Sequence, residues 1–308
     1  MLQFNLMESF KAFGKFLITA EYLVLYGASG LAIPLTKKYQ TLNVLKGFNS
    51  KISWTAFDQD NEIWFECTFN SATLEIIETS NFSNAITLQL ILKEARLLNP
   101  ELLNGISAFV THMNFSPTWG MGSSSTLISL ISQWANLNAY HLQKKIFKGS
   151  GYDVACATSA SSILYQLEDN LPKVDIVQWS PSYKDNLYFI YLGRKQSTLN
   201  EIQKLRQSSK LVIEMADILR INQITKSIVE CGSLNVFQNL LIEHESIISK
   251  YSGMKPVKNL IFPDIDGEVK SLGAWGGDFV LAACNSDPRE YLSKKGHFPV
   301  LKWSDLIF

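Results

Sequence analysis

The chain has no stretch of about 18 uninterrupted apolar residues, so no transmembrane helix and no membrane partner is expected. Met1 to Phe10 carry Glu8 and no Lys or Arg, so the charged start of a secretory signal is missing. Charge of one sign is missing too. Lys+Arg and Asp+Glu both number 28, which removes the basic excess of a nucleic-acid binder. The four cysteines (Cys67, Cys156, Cys231, Cys284) are far apart and form no CxxC pair. Scattered thiols of a reducing cytoplasm are expected, not a disulfide framework. The four histidines give no zinc spacing, and His244 shares a helical face with Val236, Leu240 and Ile247, as a structural histidine does. No internal repeat and no low-complexity tract is visible.

What is present is apolar side chain. Hydrophobic residues make up 46% against 18% charged, enough for a full core. At roughly 150 residues per domain, 308 residues suggest about two domains. The first third reads as strands. Phe13–Thr19, Tyr22–Tyr26 and Leu31–Leu35 are short and apolar, while Thr41–Leu45, Lys51–Phe57 and Ile63–Phe69 alternate apolar and polar residues. Leu88, Ile91, Leu92, Ala95 and Leu98 then mark a helix that Asn99-Pro100 stops, and Ile106–His112 is again strand-like. Further strands are expected at Ser162–Glu168, Val174–Gln178, Leu187–Leu192 and Asp278–Cys284, and helices at Glu201–Arg206, Leu211–Ile221 and Ser233–Ser249. The composition shifts across 170–186, at Asn170-Leu171-Pro172 and Ser180-Pro181-Ser182. The expectation is an α+β protein with domains at 1–180 and 181–308, strand-rich first and helix-rich second.

Some segments carry chemistry. Pro117-Thr118-Trp119-Gly120-Met121-Gly122-Ser123-Ser124-Ser125 runs into Leu127, Leu130, Ile131 and Trp134, a helical face. A glycine loop opening a helix brings unpaired N–H groups and partial positive charge to an anion, so a phosphate site is expected. The Gly-Lys-Ser/Thr ending of a Walker A loop is absent, and an ordinary capped turn reads equally well. In Gly149-Ser150-Gly151-Tyr152-Asp153-Val154-Ala155 one carboxylate stands among small residues. It suits a group that orients or deprotonates a hydroxyl, although taken alone the segment reads more readily as Asp153 capping a helix that begins at Val154. Lys270-Ser271-Leu272-Gly273-Ala274-Trp275-Gly276-Gly277-Asp278 reads as a backbone wall against a ligand or as a hairpin turn. Lys15 sits in the otherwise apolar run of Phe13 to Ala20, where a lysine serves a site or snorkels to the surface.

The order of these segments is more specific than any one of them, and in it the chain resembles the GHMP kinases, the superfamily of galactokinase, homoserine kinase, mevalonate kinase and phosphomevalonate kinase. Gly14 to Leu25, with Glu21-Tyr22, is similar to the first motif in its phosphomevalonate-kinase form. Pro117 to Ser125 resembles the second, with Met121 for Leu and Ser125 for Ala, and Ser271 to Asp278 the third, with Trp275 for a glycine. Ser150 to Ala155 looks like the catalytic segment of phosphomevalonate kinases and of the GYDIA group, and Gly193-Arg194-Lys195-Gln196-Ser197-Thr198 like their substrate loop.

The resemblance implies a two-domain GHMP kinase fold with a ferredoxin-like C-terminal domain and the active site between the domains. It implies ATP phosphates on Pro117, Gly120, Met121, Gly122, Ser123, Ser124 and Ser125, with Ser124 as a Mg²⁺ ligand. Asp153 and Lys15 take the catalytic places. Lys15, Glu21, Tyr22, Ser150, Gly151, Arg194, Ser197, Thr198, Gly273, Gly276 and Gly277 take the substrate places, with Lys195 beside Arg194. Where mevalonate kinases add a glutamate, this chain has Leu142-Gln143-Lys144. The expected activity is ATP-dependent phosphorylation of phosphomevalonate or mevalonate by a cytoplasmic monomer or homodimer. A non-catalytic metabolite sensor on the same fold, a kinase for homoserine or a sugar, or a decarboxylase are the competing readings.

Overall fold

The computed structural model describes residues 6–147, 149–193, 212–273, 275 and 277–308. They fall into two compact units. One comprises the described residues of Met1–Gly14, Lys38–Pro117 and Met121–Thr158; the other comprises those of Lys15–Lys37, Thr118–Gly120 and Ser159–Phe308. Ser180 and Pro181, at the expected boundary, both lie in the second.

Two strands run from one unit into the other, β1 (Leu6–Leu17) and β2 (Gly30–Lys46), and they pair together. In the first unit follow β3 (Lys51–Phe57), β4 (Ile63–Asn70), β5 (Ile76–Thr79), α1 (Phe82–Leu98), β6 (Ile106–Met113), α2 (Ser123–Ala135), α3 (Ala139–Ile146) and α4 (Tyr152–Ala157). The strands lie in the order β5-β4-β3-β6-β2, antiparallel except for the parallel β3–β6 pair. The alternation read in Lys51–Phe57 is real burial: Ile52, Trp54 and Ala56 point into the core, while Lys51 and Ser53 are exposed. Trp54 lies tilted against Phe109, which meets Trp134 of α2 edge-on, and Leu88, Ile91, Leu92 and Ala95 of α1 close the same core. Helix α1 is capped by the Asn81 side chain, which accepts the Asn84 N–H at 3.1 Å.

The second unit continues with β7 (Ser162–Glu168), β8 (Leu171–Val177), β9 (Leu187–Tyr191), α5 (Met215–Glu230), α6 (Leu234–Ser252), α7 (Val257–Ile261), β10 (Gly267–Ser271), β11 (Phe279–Cys284), α8 (Arg289–Lys294), β12 (Val300–Lys302) and α9 (Trp303–Leu306). The first residues of β2, Gly30 to Ala32, pair with β7, and β7 with β8. A separate antiparallel sheet has the order β10-β11-β9-β12. Its central strand β11 is buried along its length, as a continuous apolar run predicts. Tyr188, Ile190, Phe262, Val280, Ala282 and Leu292 form its core.

The α+β class stands. Among the local expectations, Tyr22–Tyr26 is corrected from strand to a 3₁₀ turn at Leu23–Tyr26. Ala20 (φ 69°) and Tyr22 (φ 62°) take left-handed backbone, which breaks the extended run; a short apolar run has no period to reveal this. The expected strands Leu31–Leu35 and Thr41–Leu45 are parts of one strand, β2. Helix α5 begins at Met215, while Glu201–Arg206 and Leu211 lie outside the described residues. No helix among the described residues is long and apolar enough to cross a membrane.

Candidate functional site

Helix α2 begins where the glycine–serine loop placed it. Gly122 is its N-cap with φ 96°, a left-handed conformation that needs no Cβ. The first turn of a helix leaves its amides without intrahelical acceptors, so the N–H groups of Ser123, Ser124 and Ser125 are turned toward whatever lies before the helix. The hydroxyls differ. Ser124 is exposed and Ser123 half-buried. Ser125 is buried and its Oγ donates to the Gly122 carbonyl at 2.8 Å, so its side chain braces the loop and only its amide is left for a ligand. Thr126 fastens the turn from inside, donating to the Ser123 carbonyl at 2.9 Å and to Gln40 Oε1 at 2.6 Å. Met121 is fully buried, so its side chain anchors the loop.

Asp153 belongs to the same unit. Its helix α4 packs on α2 and α3 and is capped by Gly151 at φ 94°. Asp153 lies in the first turn, where the helix dipole favours negative charge, and its Oδ1 accepts the Val154 N–H at 3.1 Å. The buried Gln143 of α3 points its amide Nε2 to 3.5 Å from Asp153 Oδ2. Gly149 lies close by: a Cβ on it would stand 3.2 Å from that same Nε2, a tight approach that the amide would have to yield to. The Tyr140 hydroxyl is pushed up in pKa, first by burial and then by the charge of Asp153. Ser150 is half-buried just before this turn. One carboxylate, a neutral amide beneath it and the N-terminus of α2 are thus held by three packed helices.

The remaining expected residues belong to the second unit. Lys15 is half-buried in β1. Gly120 (φ 67°) sits against Asp278: a Cβ on Gly120 would come within 2.3 Å of the Asp278 carboxylate. Trp119 packs against Tyr191 and Phe279, and Tyr191 donates to the Thr118 carbonyl at 3.3 Å. Pro117, assigned to the first unit, is half-buried. Gly273 has φ 70° with nothing within 4 Å of where a Cβ would stand, and Gly277 is buried. Gly276, Arg194, Lys195, Ser197 and Thr198 lie outside the described residues.

Glu21 and Tyr22, which the resemblance gives substrate places, are both buried. Glu21 is 1% exposed and its Oε1 accepts the Lys270 ammonium, so its carboxylate has no open face for a substrate. Lys270 also donates to the Ser271 carbonyl at 2.6 Å, and Glu245 Oε2 accepts the Ser271 N–H at 3.3 Å. His244 Nε2 lies 3.2 Å from Glu21 Oε2 and accepts the Ala20 N–H at 3.0 Å. Burial raises the pKa of Glu21 against the pull of Lys270, and burial carries Glu245 to about 8. Burial, with the Lys270 charge second, holds His244 well below its ordinary value, so the imidazole is neutral. The Tyr22 hydroxyl accepts the Trp275 N–H at 2.9 Å, and both side chains are buried. Trp275 is therefore part of the core of its unit. Sequence reading found Glu21 but not Lys270 or Glu245 beside it, because Lys270 stands between Glu268-Val269 and Ser271-Leu272 with no apolar run to mark it as buried.

No family model and no curated protein sequence matches the chain. Solved structures do. Streptococcus pneumoniae phosphomevalonate kinase in complex with phosphomevalonate and AMPPNP matches with a TM-score of 0.67 at 15% identity, covering 96% of this chain and 100% of that one. Methanococcus jannaschii mevalonate kinase matches at 0.66 and 15%, covering 96% of each. Lactococcus lactis galactokinase complexed with galactose matches at 0.65 and 13%, covering 96% of this chain and 92% of that one. The chain has the two-domain GHMP kinase fold.

Proposed function

We propose that this chain transfers the terminal phosphoryl group of ATP to a small hydroxy acid or its phosphate, with phosphomevalonate first and mevalonate second among acceptors. The observation that carries the reading is the N-terminus of α2, with its amides turned outward and Ser124 exposed, packed by α4 with Asp153 in its first turn. The fold shared with phosphomevalonate, mevalonate and sugar kinases supports the reaction class.

Phosphoryl transfer asks a protein mainly for positioning and charge neutralisation. The amides of Ser123, Ser124 and Ser125 would receive phosphate oxygens. Asp153 would accept or orient the proton of the attacking oxygen, held at its angle by the Gln143 amide and the Val154 N–H. Lys15 would neutralise charge on the transferred group. Gly120, Gly273, Gly276 and Gly277 would give backbone walls, and Ser150, Gly151, Arg194, Ser197 and Thr198 would contact the acceptor. Mg²⁺ fits the donor set. No cluster of three or more His, Cys, Asp or Glu suited to a metal occurs among the described residues, and Mg²⁺ needs few protein ligands beside phosphates and water. The exposed Ser124 hydroxyl would hold it, and the ion would supply neutralisation of phosphate charge. Free thiols at Cys67, Cys156, Cys231 and Cys284 suit a reducing cytoplasm.

Coupled ADP release tests the proposal. Turnover with phosphomevalonate or mevalonate that Asp153→Ala abolishes supports it. Metabolite binding with no phosphorylated product selects a sensor instead, and release of CO₂ with ADP selects a decarboxylase.

A further inference from the structure

Strand β8 ends its sheet, and among the described residues no strand pairs with its outer edge. Most of its side chains are exposed, on both faces, with Pro172 and Val177 half-buried. Leu171 and Ile176 are 69% and 71% exposed and Val174 is 38% exposed. An apolar edge of this kind is a template for another strand.

The register says which backbone groups are on offer. β7 and β8 are joined by Asp169-Asn170, with φ 52° and 62°, a two-residue turn of the type that matches strand twist. The flanking pair Glu168–Leu171 exchanges hydrogen bonds, and the pattern alternates from there. Leu171, Lys173, Asp175 and Val177 therefore spend their backbone groups on β7. Pro172, Val174 and Ile176 turn theirs outward. Pro172 fits this assignment, because an outward position is where a missing N–H breaks no bond with β7.

The sequence of the strand is complementary to itself. We propose that β8 pairs antiparallel with β8 of a second copy of this chain, about a two-fold axis at Val174. Val174 then exchanges both backbone bonds with Val174 of the partner subunit, and Ile176 donates to the carbonyl of Pro172 of the partner subunit. Lys173 faces Asp175 of the partner subunit, and the symmetry repeats that ion pair. On the other face Pro172, Val174 and Ile176 meet the same residues of the partner subunit and close an apolar strip. That strip continues the core face of β7, where Tyr165 lies across from Val174 and Ile163 from Ile176, both fully buried. Lys173 already bridges Glu168 at 2.6 Å on its own hairpin, which holds the ammonium on the charged face. Pro172 leaves only the Ile176 carbonyl without a cross-strand donor, so a reversible, concentration-dependent dimer is expected.

Sedimentation of the purified full chain tests this. The weight-average mass should rise toward twice that of the monomer with concentration. Asp175→Lys and Lys173→Asp, each placing like charges opposite, should lose the dimer, and the double swap Lys173→Asp/Asp175→Lys should regain it. Val174→Cys should give a covalent dimer on oxidation where the unsubstituted chain gives none, because paired strands bring these Cα atoms to about 5.5 Å, within disulfide reach. Thermal melts identify any variant that fails to fold, and the cysteine variant does not depend on the charge swap. A chain that stays monomeric at every concentration overturns the proposal. So does a dimer that Asp175→Lys, folded, leaves intact, or that Val174→Cys does not crosslink.

Discussion

The imidazole Nε2 of His244 accepts the backbone N–H of Ala20, 224 positions earlier, at 3.0 Å. Ala20 and Tyr22 both have left-handed backbone, and Glu21 between them is bonded to Lys270. A strained turn at the end of β1, the strand that carries Lys15, is thus held by a helix and a strand from the far end of the chain. Replacing His244 by Leu should leave the Ala20 amide buried without an acceptor and cost about 1–3 kcal/mol of stability in denaturant titrations. A small effect of about 0.3 kcal/mol would show that the turn holds itself.

The pH dependence of this cluster has a definite sign. His244 is depressed in the folded state, so its contribution is present above its ordinary 6.5 and is lost as pH falls below it. Glu245 is raised from 4.5 to about 8, so its contribution is present below 4.5 and is lost as pH rises toward 8. Glu21, also raised, acts in the same sense as Glu245. Between 6.5 and 8 the histidine no longer changes, so the melting temperature should fall with rising pH. Glu245→Gln should flatten that slope, and a slope unchanged in Glu245→Gln would remove the assignment.

Lys270 and Glu21 are fully buried together. Lys270→Met should destabilise by about 3–5 kcal/mol, because it leaves the Glu21 carboxylate without a counter-charge. Lys270→Met combined with Glu21→Leu should be milder than Lys270→Met alone, since the pair is then replaced by apolar groups. An additive double variant in a denaturation cycle would contradict the coupling.

Gly120 is committed twice, by its φ of 67° and by Asp278. Gly120→Ala should lower stability by about 1–3 kcal/mol and weaken nucleotide binding. Asp278→Gly in the same chain should recover the part due to contact and leave the part due to backbone strain. Calorimetric binding and melting temperature read the two contributions.

Gln143 offers a test of the acid beside it. Gln143→Glu would place a second carboxylate within about 3.5 Å of Asp153. Like charges so close disfavour ionisation, so the acidic limb of the rate profile should move up by about one pH unit or more. Asp153→Asn should lower kcat by at least about a hundredfold and leave nucleotide binding in place. An acidic limb that does not move in Gln143→Glu would separate Asp153 from the titrating step.

Local information carried much of the fold. The alternation in Lys51–Phe57 marks a strand because one face is buried, and the bounds of β3 agree residue for residue. The start of α2 was legible because glycine at Gly122 answers a need of the backbone itself, a left-handed N-cap. Tyr22–Tyr26 was misread because apolar content alone does not separate an extended segment from a buried turn. Glu21 was found as a residue of consequence, yet its place in the core was not legible.

By itself, then, the amino-acid order determined most of the segments that extend or coil and where the glycine loop opens a helix. Those are properties of neighbours along the chain. The helix at Asp153, by contrast, starts at Tyr152 with Gly151, not Asp153, as its cap. Only the tertiary structure decided that Glu21 faces Lys270 across 249 positions, that Trp275 is core rather than wall, and that β8 is left at the end of its sheet. A buried ion pair leaves no periodic trace in sequence, because its two charges are brought together by packing of elements that are themselves apolar.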